Sequence, residues 1–321
     1  MMLYEAREIP GAELPVITPL FCRIFKTDIS EEMLAWKYGD GRGRSYGIFT
    51  VEGELLAHCG IFYRQVHADA TPCRIAQLGD LMALPGRYGG VSRSRSPFAQ
   101  LIQKVLDDLP AADNPDALAF GFPSDRAMRL GEHLGLFSSI DRMWELQFSP
   151  LPTDGGGDRC LDLDFDSSDF IHNVDRLWRG MADDLGNDLL GVRDGCYLRQ
   201  RYGSHPQHRY RCHLVRSRWL RRPLGILVTR LDGEQCELLD LVAPRSNMQR
   251  LLTAARQQLP AWGAVTMKLW LTEHHAALVQ HQADHVAPLE FRIMANPFSS
   301  GNRPERFANR WWLTGGDTDY R

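Results

Sequence analysis

The chain is written twice, and that repeat limits its fold more than any single motif does. The first half gives a strand (LYEAREI), a helix from Ala12 to Phe25, and the segment MLAWKYGDG. Two alternating strands follow in YGIFTVEGELLAHCGIFYRQV, around a Glu-Gly-Glu turn. Next come an apolar strand ending at Pro85, a helix opening at Pro97, the strand ALAFGFP, a helix from Asp125 to Leu134 and the strand RMWELQFSP. The second half repeats the order. CLDLDFD is a strand, and SDFIHNVDRLWRGMADDL is a helix with Ser168 or Asp169 as its N-cap. YLRQRYGSHP stands in the place of LAWKYGDG, and RYRCHLVRSRWLRRPLGILVTRL is a hairpin. The strand ELLDLVAP, the helix NMQRLLTAARQQL, strand then helix in MKLWLTEHHAALVQHQ, and the strand PLEFRIMANPF complete the copy. Tyr38 maps to Tyr202 and Asp80 to Asp240, at offsets of 164 and 160 residues. The expectation is two homologous mixed α/β domains, at 1–150 and 160–295. A Pro/Gly linker joins them at 151–159, and a docking tail follows at 296–321.

Composition supports two ordinary domains: 321 residues, 44% apolar and 24% charged, with a net charge of −3. That balance gives no global case for nucleic acid. No run of 18 apolar residues and no basic-apolar-small leader is present, which argues against a membrane span and against secretion. The seven cysteines are scattered, odd in number and never in CxxC spacing. That pattern predicts reduced thiols in a cytoplasmic protein, with neither a disulfide framework nor a zinc site.

The two copies differ most between strand and helix at Ile75 to Leu109. In the first copy eleven residues separate Pro85 from Pro97; in the second only two separate Pro244 from the helix start at Asn247. The additional material is GRYGGVSRSRS, with three arginines (Arg87, Arg93, Arg95), three glycines and no acid. A strand, a Gly/Arg loop and a helix N-terminus together make a phosphate cradle. Helix-start N–H groups point at the ligand, glycines admit it and arginines supply charge. Pro97 suits the first helical position, where its missing N–H costs nothing. The competing reading is a solvated basic loop, but packing alone would not require that loop in one copy only.

The order and spacing of LAWKY (34–38), GELLAHCG (53–60), QLGDLMALP (77–85) and FGFPSDRAMRLGEHLGL (120–136) resemble the GNAT acyltransferase superfamily. YLRQRYGSHPQHRY (197–210) and WWLTGGDTD (311–319) extend the resemblance over nearly the whole chain. It implies an α/β fold of two tandem GNAT-like domains, each a bent mixed β-sheet flanked by helices. It also implies an acetyl-CoA or other acyl-CoA donor and no metal. The pyrophosphate would rest on Arg87, Gly89, Gly90, Arg93 and Arg95, and the backbone of Leu81, Met82, Ala83 and Leu84 would line the pantetheine. The implied activity is N-acetylation of an amine on a small molecule or carbohydrate. The loop departs from the family's usual form: Arg87-Tyr88-Gly89-Gly90 opens like it, but VSRSRS intervenes before the helix.

Acyl transfer to an amine needs a proton acceptor, donors for the oxyanion and an acid for the thiolate. The family's usual acid is a Tyr four residues before the glycine of a closing pair, here Gly135-Leu136, so the matching position is Gly131. His133, Ser138 and Tyr88 are the stand-ins, each with an ordinary reading as surface helix, turn or loop aromatic. Asp80 is the candidate base, since an unpaired carboxylate in an apolar strand has a raised pKa. Its recurrence as Asp240, in the copy without the loop, points equally to a shared structural role. His58, in the preceding strand, is either a core or a cleft histidine.

Three other features compete for function. Arg199 to Arg222 holds eight arginines, three histidines, Tyr202, Tyr210 and Trp219 but no acid. That is a footprint for nucleic acid, or for an anionic acceptor, on an exposed hairpin turn. It keeps open a tRNA-dependent aminoacyl transferase, alongside a catalytically inactive GNAT-fold binding protein. His274, His275, His281 and His285 lack the partners of a closed metal site and read as a surface helix. The tail's RWWLT reads as a short strand that docks, with the first domain as the candidate surface; Asp317 and Asp319 would then face an amine acceptor.

Overall fold

The structure, a computed structural model, describes residues 4–68, 71–84, 96–112, 119–153, 157–296 and 308–318. The chain forms two compact units. The first comprises Met1–Arg64, Arg74–Ile140 and Phe291–Ala308; the second comprises Gln65–Cys73, Asp141–Glu290 and Asn309–Arg321.

The N-terminal half supplies β1 (Glu5–Ile9), α1 (Thr18–Phe25), α2 (Glu31–Tyr38), β2 (Gly43–Phe49), β3 (Leu55–Ala68) and β4 (Thr71–Ala83). It continues with α3 (Pro97–Ala112), β5 (Ala119–Gly121), α4 (Asp125–His133) and β6 (Ser138–Phe148). The helix expected from Ala12 begins instead as a tight turn over Gly11–Ile17, because Pro15 lies inside that turn and Pro19 opens α1. Ser30 caps α2, its Oγ accepting the Met33 N–H at 3.1 Å. In α3, Leu101, Ile102, Val105 and Leu109 recur at helical spacing and are all buried, against Tyr46, Ile48 and Ala57 of the first unit's sheet.

The C-terminal half supplies β7 (Arg159–Asp162), α5 (Phe170–Asp184), β8 (Leu189–Gly191), α6 (Gly195–Leu198), β9 (Arg211–Arg216), β10 (Pro223–Asp232) and β11 (Gln235–Val242). Then come α7 (Arg245–Trp262), β12 (Thr266–Thr272), α8 (Glu273–Ala276), β13 (His285–Ala295) and β14 (Trp311–Trp312). Phe170, Val174 and Met181 of α5 and Leu251, Leu252 and Ala255 of α7 enclose Ile226–Val228 in the second unit's core.

Each unit's sheet repeats one plan. In the first, β1–β2 and β2–β3 are antiparallel and β4–β5 is parallel. In the second, β7–β9, β9–β10 and β10–β11 are antiparallel and β11–β12 is parallel. The strand beyond the parallel pair departs from the expected boundaries at 150 and 160. β6 pairs with β12 of the second unit from Met143 to Phe148, and Met294–Ala295 of β13 pair with β5 of the first. The closing strands are exchanged between the halves. Alternation fixes which face of a strand is buried but not which neighbour completes its hydrogen bonds.

The tail docks as a strand, but within the second unit. β14 runs parallel to β8, and Thr314 bridges Leu271. All seven cysteines are free thiols. Among the described residues no helix is long and apolar enough to cross a membrane.

Candidate active site

The end of β4 is the most elaborated position in the first unit. Parallel pairing with β5 covers Ala76 to Leu78 and stops at Leu78–Gly121, yet β4 runs on to Ala83. Along this extension Met82 and Leu84 are buried and Leu81 and Ala83 half-buried, and Leu84 N–H donates to Leu56 O at 2.9 Å. The divergence starts where Asp80 turns left-handed, with φ of 46°. That conformation is uncommon for a residue with a side chain, though Asp and Asn tolerate it best.

Lys37, Tyr38 and His58 hold this turn. Lys37 Nζ lies 2.6 Å from Asp80 Oδ1, and Tyr38 Oη donates to Oδ2 at 2.7 Å. Both come from α2, within the segment LAWKY that the second half repeats as LRQRY. A Cβ at Gly60 would collide with the Tyr38 hydroxyl, so that glycine gives the phenol its path to Asp80. His58 Nδ1 lies 2.8 Å from the Asp80 carbonyl and Nε2 lies 2.8 Å from Ser45 Oγ. A carbonyl only accepts, so Nδ1 carries the proton and Nε2 receives the Ser45 hydroxyl.

The electrostatics revise the expectation of a raised carboxylate. Burial pushes Asp80 up, but the Lys37 charge and hydrogen bond, aided by His58 and Tyr38, hold it below the ordinary carboxylate range. Burial lowers His58, against an opposing pull from Asp80, so the imidazole is neutral. Asp80 and His58 thus lie together at the strand end, each engaged with neighbours. His133 is elsewhere, exposed at the C-terminal end of α4. Leu81–Leu84 line the divergent edge. Arg87, Gly89, Gly90, Arg93, Arg95 and Tyr88 lie outside the described residues.

Gly131 has a packing reason. A Cβ there would overlap the Phe137 ring, so no tyrosine fits at this position in this core. The stand-in Ser138 opens β6 and is half-buried.

The second unit answers with different chemistry. Tyr202 Oη again donates to its aspartate, Asp240, at 3.1 Å, but the cation is Arg193, whose Nε lies 2.8 Å from Asp240 Oδ1. Arg193 also binds Asp317 of the tail. Burial raises Asp240, the Arg193 charge opposes it, and Asp317 adds to the rise. Arg201, at the position of Lys37, turns to the tail carbonyls of Gly316 (3.0 Å) and Thr318 (3.4 Å). Here parallel pairing stops at Leu238–Leu269, while β11 runs on to Val242. Gly316 packs so close to the Leu239 carbonyl that a Cβ would stand 3.0 Å from it. The tail fills the divergence in this copy. Asp317 is consumed by Arg193 rather than presented to an acceptor, and Asp319 lies outside the described residues.

Two other sequence features change character. Arg201, Tyr202, Tyr210 and His213 are buried, whereas Arg209, Arg211, Trp219, Arg221 and Arg222 are exposed, so the basic–aromatic stretch from Arg199 onward is divided between core and surface. His275 is buried rather than on a surface helix. Its Nδ1 lies 3.0 Å from Trp311 O and its Nε2 3.3 Å from Asp188 Oδ2, an acid also held by Arg245 at 2.8 Å. With His274 these form a compact Asp-His-His group, ligand atoms within 4.8 Å of one another, that sequence spacing could not reveal because Asp188 is remote in the chain.

No family model and no curated protein matches the sequence. Solved structures do. A probable N-acyltransferase from Enterococcus faecalis superposes with a TM-score of 0.69 at 12% identity, over 91% of this chain and 72% of its own. A GCN5-related N-acetyltransferase from Kribbella flavida gives 0.64 at 17% identity, over 92% and 71%. An N-myristoyltransferase from Saccharomyces cerevisiae, solved with bound myristoyl-CoA, gives 0.58 at 9% identity, over 96% and 90%. The chain has the tandem acyltransferase fold of the GCN5-related N-acetyltransferases.

Proposed function

We propose that this protein is an acyl-CoA-dependent acyltransferase that moves an acyl group onto an amine, with the donor held by the first unit. The observation that carries this reading is the asymmetry of the two divergent strand ends. The second is filled by the chain's own tail, whereas the first carries the Lys37–Asp80–His58 support and leads directly into the Gly/Arg loop. The myristoyl-CoA bound to the yeast neighbour supports an acyl-CoA donor.

In this reading Leu81–Leu84 line the pantetheine and Arg87, Gly89, Gly90, Arg93 and Arg95 hold the pyrophosphate. A neutral amine attacks the thioester carbonyl, backbone N–H groups along β4 stabilise the oxyanion, and the C–S bond then breaks. The amine loses a proton and the departing thiolate gains one, giving amide and free CoA. Asp80 and His58 act as positioning residues that fix the strand end. His133, exposed at the end of α4 and away from the strand end, takes no part in this step.

A second reading, a binding protein that keeps the fold without the chemistry, is favoured by Phe137 filling the space at Gly131 and by the engagement of Asp80. Release of CoA thiol separates the two. The protein is incubated with acyl-CoAs of increasing chain length and a panel of small-molecule and carbohydrate amines. Amine-dependent thiol release supports transfer; acyl-CoA binding without any thiol release supports the second reading.

A further inference from the structure

The turn joining β9 to β10 is built as a contact surface, and its composition selects the partner. Ser217 and Arg222 close it, with Ser217 N–H donating to Arg222 O and Arg221 N–H to Ser217 O, each at 2.9 Å. At its tip Trp219 is 84% exposed and Leu220 72% exposed. Two adjacent large apolar side chains at this exposure have no role in the core. Arg221 holds a left-handed φ of 51°, an uncommon conformation that shapes the tip. Arg218, Arg221 and Arg222 flank the pair, and the Arg218 guanidinium lies 5.3 Å from the centre of the Trp219 ring.

Positive charge accumulates beneath the tip. Arg216 on β9 stands directly opposite Arg159 on the outermost strand β7, a like-charge pairing that is unfavourable without an anion nearby. The Nε of Arg216 is buried without a hydrogen-bond partner. Asp158, beside them, is already taken by Arg250 through two contacts of 2.8 Å. Arg159, Arg218 and Leu161 line an open cleft of about 300 Å³ on the same face, with Leu161 itself 41% exposed.

We infer that this turn docks the protein on the surface of an anionic phospholipid bilayer. Trp219 and Leu220 enter the interfacial layer, and Arg216, Arg218, Arg221 and Arg222 meet lipid phosphates. Tryptophan prefers that interface, arginine extends its head toward phosphate, and each basic residue adds to attraction by a negative leaflet. A single-stranded nucleic acid would use the arginines and the indole but gains little from an exposed leucine. The inference is independent of acyl transfer.

The test is flotation of the full chain with vesicles of phosphatidylcholine alone and with roughly one third phosphatidylglycerol. The expected result is binding to the anionic vesicles only, released by about 0.5 M salt. Trp219→Ser with Leu220→Ser should weaken it roughly ten-fold, and each of Arg218→Gln, Arg221→Gln and Arg222→Gln roughly five-fold. All these side chains lie at the turn, so thermal melts should match the wild type; the single substitutions are read alongside the double. Failure of the wild type to float, or equal flotation of the apolar double variant, overturns the inference. So does binding of a single-stranded RNA probe that the arginine variants lose while the apolar variant keeps it.

Discussion

Lys37 and Asp80 form an ion pair of 2.6 Å whose side chains are only 11% and 6% exposed. A pair this far from water persists only because its geometry and hydrogen bonds compensate the loss of hydration, and removing one member leaves the other buried and charged. Lys37→Met should therefore cost about 3–5 kcal/mol at neutral pH, measured by urea unfolding.

The same pair sets an acid limb. Asp80 is held below its unfolded value of about 3.9. Its contribution to stability is thus present above that value and is lost as pH falls through the lower folded value. Asp80→Asn should flatten the stability profile below about pH 4 relative to the wild type. Parallel profiles would show that Asp80 does not titrate as described.

Asp141 has the opposite sign. Burial raises it to about 6, aided by Glu273 and opposed by the Arg142 N–H; its Oδ2 is buried without a hydrogen-bond partner. A raised folded pKa gives stability that is full below the unfolded value and lost as pH rises through about 6. Asp141→Asn should accordingly be close to neutral near pH 4 and stabilising by about 3 kcal/mol at pH 7. Carboxyl NMR titration reads the pKa directly.

Gly131 tests the packing account of the absent tyrosine. Gly131→Ala should destabilise by about 1–3 kcal/mol through overlap with Phe137, and Phe137→Leu in the same chain should recover part of that loss. A Gly131→Ala chain as stable as wild type would show that the ring yields.

The tail is a structural member of the second unit. Ending the chain at Asn309 removes Trp311, Trp312 and Leu313, all buried, together with the Asp317 carboxylate on Arg193. The expected loss is about 5 kcal/mol or more, with amide exchange rising first along β11. Unchanged protection of β11 would contradict the placement of the tail.

Much of this was legible in the residues themselves. The helical spacing of Leu101, Ile102, Val105 and Leu109 marked α3, and the repeat of Tyr38–Asp80 as Tyr202–Asp240 marked two copies of one plan. Asp80 was visible as an acid in an apolar strand, but Lys37 is 43 residues away and spacing does not reveal a tertiary partner. The exchange of β6 and β13 was hidden for the same reason, since both strands alternate equally well. His275 looked like a surface residue because its partners, Asp188 and the Trp311 carbonyl, come from distant segments.

The first unit is proposed to bind an acyl-CoA through its strand end and Gly/Arg loop. Calorimetric titration of acetyl-CoA and myristoyl-CoA into the full chain, beside an Arg87→Ala, Arg93→Ala, Arg95→Ala chain, tests it most directly. The expected result is one site of roughly micromolar affinity for at least one donor, weakened at least ten-fold in the variant. A folded wild type that binds neither donor, or a variant that binds as well as the wild type, would contradict it.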